Sequence, residues 1–362
     1  MNSADSNKST RIVEADIIRI ILILMLVLYH AFAPWSGAWI PIDEDSDNSF
    51  YWWIAKFSYS FFLESFVFLS GYLMGHHVTI RGRELLSFRN LVLKKFQHLI
   101  IPSIIFSTIY VLSFGINENE SLKQVVYFIV SGRGHMWFLP MLFWCFVGFW
   151  LINKFNISNN IVLLFLSLLS ILSNFILLPF RLGSTAYYLV FFYTGYTLKV
   201  IYQEKLLLLS KPTYIISFCC GFTIFFIIGT MFGEIINYKE PLKILNYVVP
   251  HSLLQNLMLS ISNLFKLIYS MMAICSLFTF TIWLCYERKI KISPVIASLS
   301  KCCFGIYIIQ QFILKWLYYH SHLIDKITVE HIPWIGFVIA LSLSIIGSFL
   351  LLKTRIGNFL IG

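Results

Sequence analysis

Charge is scarce in this chain. Only 12% of its 362 residues are Asp, Glu, Lys or Arg, against about 25% in an ordinary soluble domain. With 58% hydrophobic residues and a mean hydropathy of +0.78, a water-soluble core would leave apolar surface that the few polar loops could not cover. The soluble globular classes are excluded.

Metal-ligand spacing is also missing. The cysteines lie within or at the ends of apolar stretches, and Cys219-Cys220 and Cys302-Cys303 are adjacent rather than spaced as CxxC. They read as small hydrophobes between helices, so neither a metal nor a disulfide is expected. Residues 1–10 are a short polar tail without the small-residue cleavage site of a signal peptide. There is no internal repeat, no low-complexity tract and no polar catalytic region. Residues 1–362 are therefore expected to form a single integral-membrane domain, with any chemistry among its helices.

What the chain has is apolar runs close to twenty residues long, the length that crosses a bilayer as a helix. The pattern predicts an all-α polytopic bundle of about ten transmembrane helices. They fall at 16–34, 54–75, 97–115, 136–153, 160–179, 185–202, 212–232, 264–286, 294–319 and 333–352. Two segments fit no simple span. Residues 121–131 are too short to cross and suit an interfacial helix, and 234–263 is the longest connection, a place where function often sits.

The net charge of +10 does not point to nucleic acid, because the cations cluster at alternate helix ends. One side collects Arg11, the run Arg81 to Lys95, Lys154, Lys199, Lys205, Lys211, Arg288 to Lys291, Lys353 and Arg355. The other holds few cations and the acidic run Asp43-Glu44-Asp45-Ser46-Asp47. By the positive-inside rule both termini are expected in the cytoplasm, with the protein in the inner (plasma) membrane.

Against this background five constellations stand out. The first helix enters with Asp16 and Arg19 and carries His30 near its far end. At 100° per residue Arg19 and His30 share one stripe about 16 Å apart along the axis, with Asp16 beside Arg19. An imidazole inside a membrane helix marks a functional site, the bland alternative being a histidine capped by a neighbouring carbonyl. The second helix places Glu64 near mid-bilayer, where a carboxylate needs a partner. It follows with Ser70-Gly71, which lets another backbone come close.

Arg83, Arg89, Lys94, Lys95 and His98 precede Pro102. This cluster suits anionic lipid headgroups or, more sharply, a phosphorylated cytoplasmic cofactor. The fourth helix begins with Gly132-Arg133-Gly134-His135-Met136-Trp137, offering a polar group and a stacking face at the level of His30. The ninth carries Phe304-Gly305-Ile306-Tyr307, then Gln310 and Gln311, two adjacent amides that need partners in the bundle.

Taken in order, these motifs resemble the membrane acyltransferase 3 family, which includes O-antigen and exopolysaccharide O-acetyltransferases and fucose acetylases. The resemblance rests on Asp16-x-x-Arg19-x10-His30, Glu64-Ser-Phe-Val-Phe-Leu-Ser70-Gly71-Tyr72, His135-Met-Trp137-Phe138-Leu139 and Phe304-Gly305-Ile306-Tyr307. It covers nearly the whole chain. Two positions depart from the family pattern. Lys95-Phe-Gln-His98 stands where the family usually has Arg-x-x-Arg, losing bidentate reach to phosphate, and Gln310 stands where histidine is common.

The resemblance implies that acyl-CoA, acetyl-CoA first among the candidates, is held at the basic inner face by Arg83, Arg89, Lys94, Lys95 and His98. It further implies that the acyl group passes to a hydroxyl of a saccharide or glycolipid outside. A hydroxyl needs a base, and imidazole suits that task near neutral pH, which assigns the role to His30. Arg19 would position the donor. Glu64, Asp16, Ser70, His135, Trp137, Tyr307 and Gln310 would orient His30 or the acceptor. The rival reading is a transporter or flippase for a lipid-linked saccharide, since intramembrane Asp, Arg, Glu and His also build transport paths. The missing inverted repeats weigh against it. A purely structural scaffold leaves the buried charges without a reason.

Overall fold

Long apolar runs can bury their backbone polar groups in lipid only by folding as helices, and the chain does so almost throughout. The computed structural model describes residues 12–42, 48–82, 87–115, 120–155, 157–202, 211–237, 251–289 and 293–362. No strand occurs among them. In chain order the helices are α1 (Val13–Phe32), α2 (Ser49–Tyr59), α3 (Phe62–Arg81), α4 (Phe88–Lys95), α5 (Ile101–Phe114), α6 (Leu122–Ser131) and α7 (Phe138–Lys154). They continue as α8 (Asn159–Ile171), α9 (Leu182–Ile201), α10 (Pro212–Asn237), α11 (His251–Ile282), α12 (Pro294–Tyr319), α13 (Ile332–Leu352) and α14 (Arg355–Ile361).

Every expected span contains helix, and eight stretches among the described residues are long and apolar enough to cross a membrane. The fifth and sixth expected spans are the exceptions. α8 is only 13 residues long. α9 reaches 20 residues, but Tyr, Thr and Gly dilute its hydropathy and most of it is buried against other helices. Part of the long connection is helical too: α11 begins at His251, thirteen residues before the expected start at 264, while 238–250 lie outside the described residues. Residues 121–131 form α6, started by a capping box between Ser121 and Gln124.

Two spans depart from a plain α-helix for identifiable reasons. Between α2 and α3 the helix breaks at Ser60-Phe61; the freed Ser60 carbonyl accepts a 2.9 Å hydrogen bond from the Ser270 hydroxyl of α11. Such side-chain rescue is what permits an interrupted helix at membrane depth. Between α4 and α5 the chain winds through a π-helical turn, Phe96–Ile100, just before Pro102, which has no N–H to donate to the preceding turn.

α1 is central. It packs against α2, α3, α11, α12 and α13 and buries Ile18, Leu22, Leu26 and Val27 almost completely. Without a hydrophobic driving force between helices in lipid, close packing must supply the attraction. The α3–α9 contact shows how: a Cβ on Gly71 would run into the Phe192 carbonyl oxygen, and one on Gly195 into that of Phe68. The close approach expected at Gly71 is present and reciprocal.

Candidate functional site

The C-terminal end of α1, the Gly132–Trp137 turn and the C-terminal half of α12 converge on a cavity of about 360 Å³. Local sequence explains how each arrives. Gly132 and Gly134 both have positive φ, +85° and +57°, a conformation costly for any other residue. Their turn is pinned by the Arg133 N–H donating to the Ser107 hydroxyl at 2.9 Å and by the Arg133–Glu120 ion pair at 2.9 Å. His135 is thereby turned inward, its ring 6.2 Å from that of His30.

The two imidazoles are held differently. Both nitrogens of His135 face oxygen acceptors: Nδ1 meets Gln311 Oε1, and Nε2 lies 3.0 Å from the Ile308 carbonyl. The Gln311 oxygen also accepts the His135 backbone N–H at 3.1 Å, and the Tyr307 hydroxyl donates to the His135 carbonyl. Neither ring nitrogen offers a lone pair to the cavity. His30 is buried, with 7% exposure, and its Nδ1 lies 2.8 Å from the Gln310 amide nitrogen. No described residue hydrogen-bonds to its Nε2, and the ring lines the cavity. Trp39 stacks on it, centroids 5.7 Å apart and planes 18° from parallel.

A neutral imidazole donates from one nitrogen and accepts at the other. With the Gln310 NH2 against Nδ1, the ring proton sits on Nε2. A half-turn of the amide brings Gln310 Oε1, which has no hydrogen-bond partner among the described residues, against Nδ1–H and leaves the Nε2 lone pair facing the cavity. The pair can therefore stand in either state, and the second is the one a base needs.

Glu64 does not line the cavity. It is fully buried behind it, where Lys266 of α11 pairs with its Oε1 at 3.2 Å and the Tyr187 hydroxyl donates to the same oxygen at 3.3 Å. Oε2 has no partner. The Lys266 ammonium lies 5.1 Å from the ring centres of both Tyr59 and Tyr187, and Tyr59 belongs to the cavity wall. Ser70 bonds back to the Phe66 carbonyl of its own helix at 2.9 Å. Trp137 and Tyr307 do line the cavity, and Arg181 sits over Trp137 at 5.8 Å.

The remaining sequence-derived residues lie away from this cavity. Arg19 is three turns back along α1, about 16 Å by helix rise, 3.5 Å from Asp16, which also accepts 2.5 Å from the Ser300 hydroxyl. Arg89, Lys94, Lys95 and His98 precede α5, whose Tyr110 reaches the cavity, so they lie back along a helix in the same sense. Arg89 and Lys94 are exposed, while Lys95 lays its ammonium 3.9 Å from the Phe146 ring centre. Arg83 lies outside the described residues.

Two lysines escaped the sequence reading. Lys266 sits at the start of the expected 264–286 helix, where a lysine would snorkel to the interface; with α11 starting at His251 it lies about four turns in. Lys315, near the end of α12, reads as an interfacial anchor yet lines the cavity. An apolar run lengthened through His251-Ser-Leu-Leu would have exposed the first of them.

Fold and site together define a polytopic α-helical membrane protein with a histidine-bearing cavity between its helices. The chain belongs to the acyltransferase 3 family: the sequence profile described as an acyltransferase domain matches residues 12–353. No curated protein and no solved structure matches it.

Proposed function

We propose that this protein transfers an acyl group, acetyl first among the candidates, from acyl-CoA to a hydroxyl of a cell-surface or lipid-linked saccharide. Membership of the family supports acyl transfer. The observation that carries the reading further is His30, whose Nε2 faces the cavity with no hydrogen-bond partner among the described residues, whereas His30 Nδ1 and both nitrogens of His135 are engaged by protein groups. The donor would be made in the cytoplasm and the acceptor presented outside, so the bundle serves as the passage between them. In this reading the chain lies in the inner (plasma) membrane with both termini cytoplasmic.

His30 Nε2 takes the proton of the acceptor hydroxyl as its oxygen attacks the thioester carbonyl. Gln310 Oε1 accepts the Nδ1–H of the imidazolium that forms. His135, fixed by Gln311 and Ile308, closes the cavity wall beside the reacting atoms. When the carbon–sulfur bond breaks, His30 returns the proton to the thiolate, leaving an ester and free CoA. The basic residues before α5 and Arg19 favour the phosphates of the donor on the opposite side. General-base catalysis of this kind contributes about 10²–10⁴-fold in rate.

The test is thiol release. Purified protein in lipid, given acetyl-CoA and a saccharide acceptor, should produce free CoA and an acetylated sugar in equal amounts. A flippase for a lipid-linked saccharide would move its substrate with acetyl-CoA untouched.

A further inference from the structure

The cavity is lined mainly by aromatic rings, and no Asp or Glu among the described residues lines it. Lys315 contributes its one fixed positive charge. The Lys315 ammonium is held between two rings, 4.6 Å from the centre of Trp39 and 5.1 Å from that of Tyr319. The Tyr319 hydroxyl is fixed in turn by donating to the Ile40 carbonyl at 2.7 Å. Aromatic faces stabilise a cation and hold it in place without neutralising it. No carboxylate of the described residues lies within ion-pair distance of Lys315.

This lining suits a neutral sugar poorly. Sugar hydroxyls are donors that need acceptors, and a carboxylate is the strongest acceptor a protein has. A wall whose described residues include no carboxylate but a half-buried ammonium rewards an anion, which recovers part of the cost of desolvating the lysine. From these observations we infer that the cavity takes an acceptor bearing an anionic group, a carboxylate or a phosphoryl, held by Lys315 while a neighbouring hydroxyl meets His30. The inference rests on the acyl-transfer reading above.

Position argues that this anion belongs to the acceptor. His30 stacks on Trp39 with centroids 5.7 Å apart, and Lys315 lies 4.6 Å from the same centroid. Imidazole and ammonium are therefore separated by no more than the sum of those two distances. Two substituents of one sugar ring, or a ring hydroxyl and a group on its anomeric linkage, fit within that bound. The phosphates of CoA are kept far from the thioester by the long pantetheine arm, so a donor reacting at His30 cannot also place them on Lys315.

The experiment uses the full chain in lipid nanodiscs and three probes: glucose, glucuronate and glucose 1-phosphate. Binding is read from tryptophan fluorescence, and acetyl transfer from free-thiol release. At least one anionic probe should bind about tenfold or more tightly than glucose, the discrimination expected of a hydrogen bond to a charged group. Which one does so separates an acidic sugar from a phosphate-linked one. Lys315→Met should abolish that preference while acetyl-CoA still binds, and Lys315→Arg should retain it in part, showing that charge rather than folding is at issue. Anionic binding that depends on Lys315 without any acetyl transfer would sink the acyl-transfer reading and leave only the anion site at Lys315 standing. Equal affinity for all three probes, no binding of either anion, or a Lys315→Met variant that loses acetyl-CoA instead would overturn it.

Discussion

His30 of α1 and Gln310 of α12 meet side chain to side chain inside the bundle, nitrogen to nitrogen at 2.8 Å. Gln310 is fully buried, and its oxygen has no hydrogen-bond partner among the described residues. An amide in that position can hand the ring either a donor or an acceptor. It therefore decides which imidazole nitrogen keeps its lone pair.

Replacement of Gln310 should separate turnover from binding. Gln310→Met removes the acceptor for Nδ1–H and should lower kcat about 10–100-fold, the worth of a hydrogen bond to a charged group being about 1.5–3 kcal/mol. The KM for acetyl-CoA should stay near wild type. Gln310→Glu, which can only accept when ionised, should stay within about tenfold of wild-type kcat. A Met variant with full kcat would remove Gln310 from the mechanism.

Behind the cavity, Glu64 and Lys266 should behave as a unit. Removing one partner of a buried pair leaves an uncompensated charge and typically costs about 3–5 kcal/mol. Lys266→Met alone should therefore lower the detergent melting temperature markedly, and Glu64→Gln with Lys266→Met should recover most of the loss. If the double variant melts as low as the single one, the pair is not what stabilises this region.

How much of this was legible in the sequence depended on whether one helix or two were needed. The Asp16–Arg19–His30 stripe follows from helical periodicity within α1, and the close approach at Gly71 from the residue type. The motif from Gly132 to Trp137 offered a polar group and a stacking face at the level of His30, and the structure puts it at the cavity. What lies between helices was not legible. Gln310 was visible as an amide in need of a partner, but its pairing with His30, and that of Gln311 with His135, depend on the rotation of α12 against its neighbours. Lys266 was hidden by a helix start placed thirteen residues too late, which moved a mid-helix charge to an apparent interface. The break at Ser60-Phe61 has no proline or glycine to announce it; it is stabilised by Ser270, which lies on a distant helix.

Donor binding should depend on the basic residues before α5. Neutralising Lys94 and Lys95 together should raise the apparent KM for acetyl-CoA with a milder effect on the acceptor. Unchanged donor dependence would leave anionic lipid as the better account of the cluster.

Orientation can be read in intact cells. Single cysteines at Ser46, Asn246 and Ser321 should react with an impermeant thiol reagent, while those at Ser87 and Ser210 should not. Labelling at Ser87 would reverse the assignment drawn from the lysines and arginines.

The most direct test of the account is the acetyl-transfer rate of His30→Gln, measured beside its acetyl-CoA affinity and melting temperature. Glutamine fills similar space and can hydrogen-bond, yet it cannot take a proton near pH 7. The account predicts a rate lower by about 10²–10⁴-fold, with donor affinity and melting temperature close to wild type, and a similar loss in His30→Ala. A His30→Gln protein that transfers acetyl groups at the wild-type rate would contradict it.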